Sequence, residues 1–256
     1  TFIINNIEFD HADIFDDLSD ILKQFHNAIR TVPADGNILF HDGDENIINL
    51  IEMGCWSNTY KLGSEENIKL SIEEGIIHLE GQRFDLSELP MHGQHNLNNA
   101  VMAMYASFLH GVDPQKAFLA LKNSNGVKRR FETVFHNNEK IVIDDFAHHP
   151  TAISNTVEAA INHFAPKKVM GIVELASNTM SQGHHGVELY DSASGLEQVY
   201  WLNLSSKKNQ DFEYDSINSL LEDLKKDIDS IDVILIMSNK DSKKISEPII
   251  DIIKSK

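Results

Sequence analysis

The sequence predicts an α/β protein whose second half folds around a mostly parallel, doubly wound sheet. Three observations carry this. From Ile141 onward, short apolar runs alternate with helical patterns, the order that gives parallel pairing through crossover helices. Ile141–Ile143 and Val233–Met237 are apolar throughout, as strands buried on both faces are. Finally, 256 residues suffice for two modest domains, and Asn123–Gly126 (N-S-N-G) is a short polar break ending in glycine. The division is placed at 1–124 and 125–256.

In the first half, Phe2–Ile4 reads as a buried strand with a polar end carrying Glu8, Asp10, His11 and Asp13. Ile14, Leu18, Ile21, Leu22, Phe25 and Ile29 recur at helical spacing, with Asp16 and Asp17 suited to the positive end of the macrodipole. Asn37–Phe40 is a strand and Ile47–Ile51 a short helix. Cys55–Leu62, Ile68–Ile72, Ile76–Glu80 and Gln82–Leu86 read as a β-meander punctuated by Gly75 and Gly81. Leu97, Val101, Met104, Tyr105 and Phe108 make a helical stripe closed by Gly111. Asp113-Pro114 caps and starts a second helix, with Ala117, Phe118 and Leu121 inward.

In the second half, the strand Ile141–Ile143 runs into a helix opened by Pro150, with Ile153, Val157, Ala160, Ile161 and Phe164 on one face. Lys168–Val173 is a strand, Val187–Ala193 a short helix and Gln198–Leu202 a strand. Asp215 caps a helix with Ile217, Leu220, Leu221, Leu224 and Ile228 inward. Val233–Met237 is a buried strand, and a helix over about Glu247–Ile253 closes the chain.

Composition narrows the functions. Lys and Arg number 22 against 39 Asp and Glu, a net charge of −17, which argues against a general nucleic-acid or anionic-membrane surface. An anionic ligand would need local cations, so the four arginines matter: Arg30, Arg83 and the adjacent Arg129 and Arg130. A single cysteine, Cys55, excludes an internal disulfide and suits a reducing compartment such as the cytoplasm. No apolar run approaches membrane length. The chain opens T-F-I-I-N-N, without Met and already strand-like, and reads as a fragment lacking its N-terminal part. Neither G-x-x-x-x-G-K-[ST] nor G-x-G-x-x-G occurs.

The candidate chemistry gathers at element ends. Asp144, Asp145, His148 and His149 lie where a strand's carboxyl end meets a helix N-terminus, the edge at which open α/β sheets bind ligands. G-V-K-R-R-F-E, just after the break, is the densest positive charge in the chain and suits a phosphate. Asn96 and Asn99, three apart on a helix, offer amides suited to a base edge. Imidazole is a poor first choice for Mg²⁺, so spacing alone does not make His11 a metal ligand.

F-D-H-A-D, H-N-x-x-N-A, G-V-K-R-R-F-E and D-D-F-A-H-H-P-T occur here in the order found in the Mur ligases, which the chain resembles over most of its length. These are ATP-dependent amide ligases of peptidoglycan synthesis. N-x-E-F-D-H-A-D-I-F-D-D-L, M-G-C-W-S and S-N-T-M resemble the recycling branch, which joins UDP-N-acetylmuramate to L-alanyl-γ-D-glutamyl-meso-diaminopimelate. An L-alanine-adding ligase or a non-catalytic nucleotide-binding module are the alternatives. The resemblance implies the later part of a central ATPase domain followed by a Rossmann-like C-terminal domain, with ATP and Mg²⁺ as cofactors. It implies that His11 binds Mg²⁺, that Asn96 and Asn99 lie on the adenine side of ATP, and that Arg130 reaches the nucleotide. By the same resemblance Asp145 binds the ribose, His148 lies near the reacting centre, and Ser177, Asn178 and Thr179 lie near the peptide. ATP contacts from both domains would couple binding to closure, with Arg130 and Asp145 facing solvent beforehand. The chain departs from the family at Ala176, where an arginine is usual, at Ser181-Gln182, and at S-N-K-D-S-K-K in place of S-N-G-G-F-G-G.

Overall fold

The computed structural model describes residues 1–11, 14–63, 75–176, 180, 186–205, 210 and 212–255, and the backbone of 70–73. The chain divides into two compact units. The first comprises Thr1–Pro90 and His95–Asn125, the second Gly126–Lys256 together with Met91–Gln94.

The first unit holds a parallel sheet of order β1-β2-β3, formed by β1 (Phe2–Ile4), β2 (Asn37–His41) and β3 (Asn58–Leu62). Helix α1 (Leu18–Ile29) joins β1 to β2, and α2 (Glu45–Glu52) joins β2 to β3. Asp17 and Asp44 cap these helices by accepting from backbone N–H groups of the first turn. Ile4, Ile21, Ile29, Ile38, Phe40, Ile47 and Leu50 form the shared core. Two expectations are corrected here. The segment read as Cys55–Leu62 belongs to the parallel sheet and not to the meander, because α2 is a crossover that returns the chain in the same direction. Ile14 is 69% exposed, since α1 starts at Leu18 and leaves it outside the helical stripe. The antiparallel meander is β4 (Leu70–Glu73), β5 (Ile76–Leu79) and β6 (Gln82–Asp85). Helix α3 (Gln94–Leu109) is followed by Gly111 at φ +82°, whose N–H donates to the Phe108 carbonyl at 2.8 Å. Helix α4 (Pro114–Lys122) starts on the Asp113 cap with proline in the first turn.

The second unit is a five-stranded sheet of order β10-β9-β11-β8-β7. Four strands are parallel: β8 (Ile141–Asp145), β9 (Val169–Glu174), β10 (Gln198–Leu202) and β11 (Val233–Met237). An edge strand, β7 (Glu132–His136), runs antiparallel to β8 and was not expected from the sequence. Strand residues alternate between two cores. Ile143, Val173, Leu235 and Met237 pack with Ile153 and Val157 of α5 (Pro150–Phe164) and Leu189 of α6 (Gly186–Asp191). Val142, Ile172, Ile234 and Ile236 pack with Leu220 and Leu224 of α7 (Ile217–Asp227) and with Ile245 and Ile249 of α8 (Lys243–Lys254). The sheet is thus doubly wound, which explains why its strands read as uninterrupted apolar runs. Ser216 caps α7, one residue beyond the expected Asp215, with its Oγ accepting from Ser219 N. Helix α8 starts at Lys243, before the expected Glu247, and carries Pro248 inside it. Among the described residues no helix is long and apolar enough to cross a membrane.

Met91–Gln94 belongs with this unit through His92. Its ring lies 3.8 Å, centroid to centroid, from that of His163 on α5 and 5.5 Å from that of Phe131. Burial, reinforced by the neighbouring His163, holds the His92 imidazole below the usual histidine range. Burial, reinforced by Lys167, does the same for His163.

Two outcomes follow for stability. Leu235 lies wholly buried in the strand between β8 and β9, so Leu235→Ala should lower the unfolding free energy by about 2–5 kcal/mol. Val134→Ala, on the exposed side of β7, should change it by about 0.5 kcal/mol or less, both read from denaturant midpoints. The histidines set a pH dependence. With folded pKa values below the unfolded value of about 6.5, the unfolded chain takes up protons first as pH falls. Stability should therefore be full above about pH 6.5 and decline below it. A His92→Phe, His163→Phe double variant should show a shallower decline in thermal midpoint between about pH 7.5 and 5.5. An unchanged slope would assign the acid sensitivity to other groups.

Candidate active site

The carboxyl end of β8 is where the interior of the second unit gives way to polar groups. Asp145 is 1% exposed. Its Oδ2 accepts from Phe131 N at 2.7 Å, and its Oδ1 accepts from Ala147 N at 2.8 Å and Thr156 Oγ1 at 3.3 Å. The expectation that Asp145 faces solvent is corrected by this: both carboxylate oxygens are held inside the fold. Asp144, also buried, accepts through Oδ2 from Ser242 Oγ at 2.6 Å and Arg129 Nε at 3.3 Å, while its Oδ1 has no hydrogen-bond partner among the described residues. Burial pushes the Asp144 carboxyl up, against the opposing pull of Ser242 and Arg129. Arg129 also donates from its guanidinium to the Ser238 carbonyl at 2.5 Å, and Ser238 Oγ donates to Glu174 at the end of β9.

The two adjacent arginines have different fates. Arg129 and Phe131 sit at φ +57° and +58°, in the left-handed region, on either side of Arg130. For bulky residues each such conformation costs on the order of 1–3 kcal/mol, so the turn is held from outside. Arg130 N donates to Val127 O at 3.0 Å, Phe146 N donates to Arg129 O at 2.8 Å, and Arg129 N donates to Glu132 Oε2 at 2.8 Å. Phe131 is compensated by burial of its ring, stacked on Phe164 at 6.0 Å. Arg129 is committed to Asp144 and Ser238. Arg130 is exposed, and among the described residues no carboxylate pairs with it. Its guanidinium lies 5.7 Å from the centre of the Phe146 ring, and that of Arg129 lies 5.1 Å from it.

His148 lies in the same edge, half-buried. Its Nδ1 is 2.9 Å from the Phe146 carbonyl. A carbonyl can only accept, so Nδ1 carries the proton and neutral His148 presents Nε2 as an acceptor. The Phe146 ring meets the His148 ring edge-on at 5.2 Å. The second unit thus brings Arg130, Asp145 and His148 together around Phe146.

In the first unit, His11 follows β1 at φ +56°, with its side chain 65% exposed and its Nε2 3.8 Å from the Asp10 carboxylate. Among the described residues no group of three or more His, Cys, Asp or Glu side chains could hold a metal ion by itself. Asn96 and Asn99 both lie in the first turns of α3, but Asn96 is buried and Asn99 exposed. Ser177, Asn178, Thr179 and the Ser181-Gln182 departure lie outside the described residues. Ala176 is half-buried after β9, and Lys240 is exposed after β11. Phe131, Phe146, Thr156 and Ser242 are the site residues missed by sequence reasoning. The first two stand inside motifs quoted for their charges, R-R-F-E and D-D-F-A, where the aromatic was the available signal.

Comparison with known proteins gives this geometry a family. Residues 2–107 match the Mur ligase middle domain, and residues 129–240 match the domain described as Mur ligase, glutamate ligase domain. The UDP-N-acetylmuramate–L-alanyl-γ-D-glutamyl-meso-2,6-diaminoheptandioate ligase of Escherichia coli (strain K12) is 36% identical over 208 residues, 79% of this chain and 46% of that protein. A UDP-N-acetylmuramate–L-alanine ligase of Desulfitobacterium hafniense (strain Y51) is 32% identical over 180 residues, 67% of this chain and 40% of that protein. The crystal structure of a murein peptide ligase from Psychrobacter arcticus 273-4 is 26% identical and superposes with a TM-score of 0.70 over 98% of this chain and 56% of that one. The chain spans about half the length of the curated relatives it matches. It belongs to the Mur ligase family, of which it carries the middle and C-terminal domains.

Proposed function

We propose that the protein carrying this chain is an ATP-dependent amide ligase that joins UDP-N-acetylmuramate to L-alanyl-γ-D-glutamyl-meso-diaminopimelate through an acyl phosphate. The observation that carries the reading is Arg130, an exposed guanidinium without an ion-pair partner among the described residues, lying near the Phe146 ring, which also meets His148, at the carboxyl edge of a parallel sheet. The tripeptide is preferred to L-alanine because the relative named for it matches a longer stretch at higher identity. The cytoplasm is the proposed compartment, in keeping with the lone free Cys55.

The chemistry sets what the residues must do. A carboxylate is a poor acyl donor, so its oxygen first takes the γ-phosphoryl group of ATP, releasing ADP. The peptide amine then attacks the acyl carbon, and phosphate leaves as the amide forms. Both steps gather negative charge, which Arg130 would meet with a planar fork of donors. His148 Nε2 would accept the proton lost by the attacking amine. Asn96 and Asn99 would serve the adenine side, and Ser177, Asn178 and Thr179 the peptide. Mg²⁺ takes oxygen ligands and keeps several waters, so it fits a site with one or two protein donors beside nucleotide oxygens. Against that oxygen preference, the family resemblance makes the imidazole nitrogen of His11, exposed next to Asp10, one of these protein donors. When bound, the ion would offset phosphate charge.

The test is phosphate release by the full-length protein with UDP-N-acetylmuramate, ATP and either tripeptide or L-alanine. Turnover with the tripeptide is expected. Turnover with L-alanine alone would move the protein to the other branch, and none with either would leave a nucleotide-binding module. Arg130→Lys should lower kcat/KM for ATP about tenfold to a hundredfold, since an ammonium cannot reproduce the fork. His11→Ala should raise the Mg²⁺ concentration needed for half-maximal turnover, and an unchanged Mg²⁺ titration would remove His11 from the ligand set.

A further inference from the structure

Arg130 is unusual in how its backbone is held. The peptide group before it is fixed through the Arg129 carbonyl, which accepts from Phe146 N at 2.8 Å. The peptide group after it is fixed through Phe131 N, which donates to Asp145 Oδ2 at 2.7 Å. Two consecutive residues at the end of β8 therefore grip both peptide groups of one arginine. Both neighbours of that arginine are in left-handed conformations that bulky residues avoid, so the turn does not hold this shape by local preference. The Phe146 ring lies beside the guanidinium, and no carboxylate among the described residues competes for it.

We propose that Asp145 and Phe146 are positioning residues that act on bound nucleotide through Arg130, by locking the 127–131 turn so that its guanidinium is presented in one direction. The inference rests on the reading of Arg130 as a nucleotide contact. It assigns the buried Asp145 an indirect role. A carboxylate offers an acceptor to Phe131 N and another to Ala147 N at once, from different oxygens. A carboxamide has one oxygen, and turns its NH₂ toward one of these donors. Asp145→Asn should thus release one side of the turn while preserving size. Phe146→Leu should keep the backbone bond to Arg129 and remove the aromatic face.

The experiment uses the full-length protein, with ATP and 2′,3′-dideoxy-ATP as nucleotides. Affinity, KM, kcat and thermal midpoint are measured for Asp145→Asn, Phe146→Leu, Arg130→Ala and each double variant with Arg130→Ala. Each positioning variant should weaken ATP binding about tenfold in the Arg130 background and less than about twofold once Arg130 is gone. The loss should be the same with both nucleotides. A loss that persists in the Arg130→Ala background, or that is confined to ATP and absent with the dideoxy nucleotide, would overturn the inference in favour of direct ribose contact. Equal losses of midpoint with unchanged ATP affinity would make the residues structural and also overturn it. Should Asp145→Asn not fold, Phe146→Leu carries the same cycle. ATP binding by the wild type with no effect of Arg130→Ala would remove Arg130 from the nucleotide site and the inference with it. Absence of ATP binding by the wild type would instead refute the ligase reading itself.

Discussion

The second unit depends on a sheet buried on both faces. With Ile143, Leu235 and Met237 in one core and Val142, Ile234 and Ile236 in the other, the strand interiors have no surface to give to chemistry. Polar groups are confined to the ends, and each one that stays near the interior must find donors there. Among the described residues Asp145 finds three and Asp144 two, leaving one Asp144 oxygen unmatched, and burial shifts the Asp144 carboxyl toward the protonated form. The turn that carries Arg130 is a product of the same constraint, because the N–H groups that satisfy Asp145 come partly from it.

The acidic balance of the chain sharpens this. In a molecule of net charge −17, a free cation at a strand end has to be protected from nearby carboxylates. Arg129 pairs with Asp144, and Arg130 rests beside Phe146, whose ring face attracts a cation without neutralising it. One arginine is used up so that the other stays available.

Much of this was legible in the sequence. The runs I-V-I-D-D and V-I-L-I-M and the Pro150 and Pro114 helix starts state locally what they do, because periodicity and cap chemistry are local properties. The family-bearing motifs were legible as well, down to the edge where β8 ends. What was not legible depends on contacts far along the chain. Nothing in N-T-Y-K-L says that β3 pairs with β2, and nothing in E-T-V-F-H says that β7 will cover the free edge of β8. Adjacent arginines look alike in sequence; the left-handed turn that sends one inward and the other out is set by packing of Phe131 on Phe164 and by the Asp145 carboxylate. The same bond explains why Asp145, expected from the family resemblance to face solvent before closure, is buried.

The register of β8 has a bearing on how such a protein can diverge. Ile141–Asp145 pairs residue for residue with Val233–Met237, and its side chains alternate between two filled cores before the carboxylates reach the edge. Lengthening or shortening the strand by one residue would exchange its faces and turn Asp145 away from the turn that it holds. Exchange of one apolar side chain for another remains open, whereas a change in spacing does not. Over evolutionary time this strand should therefore behave as a ruler, with variable markings and an invariant length.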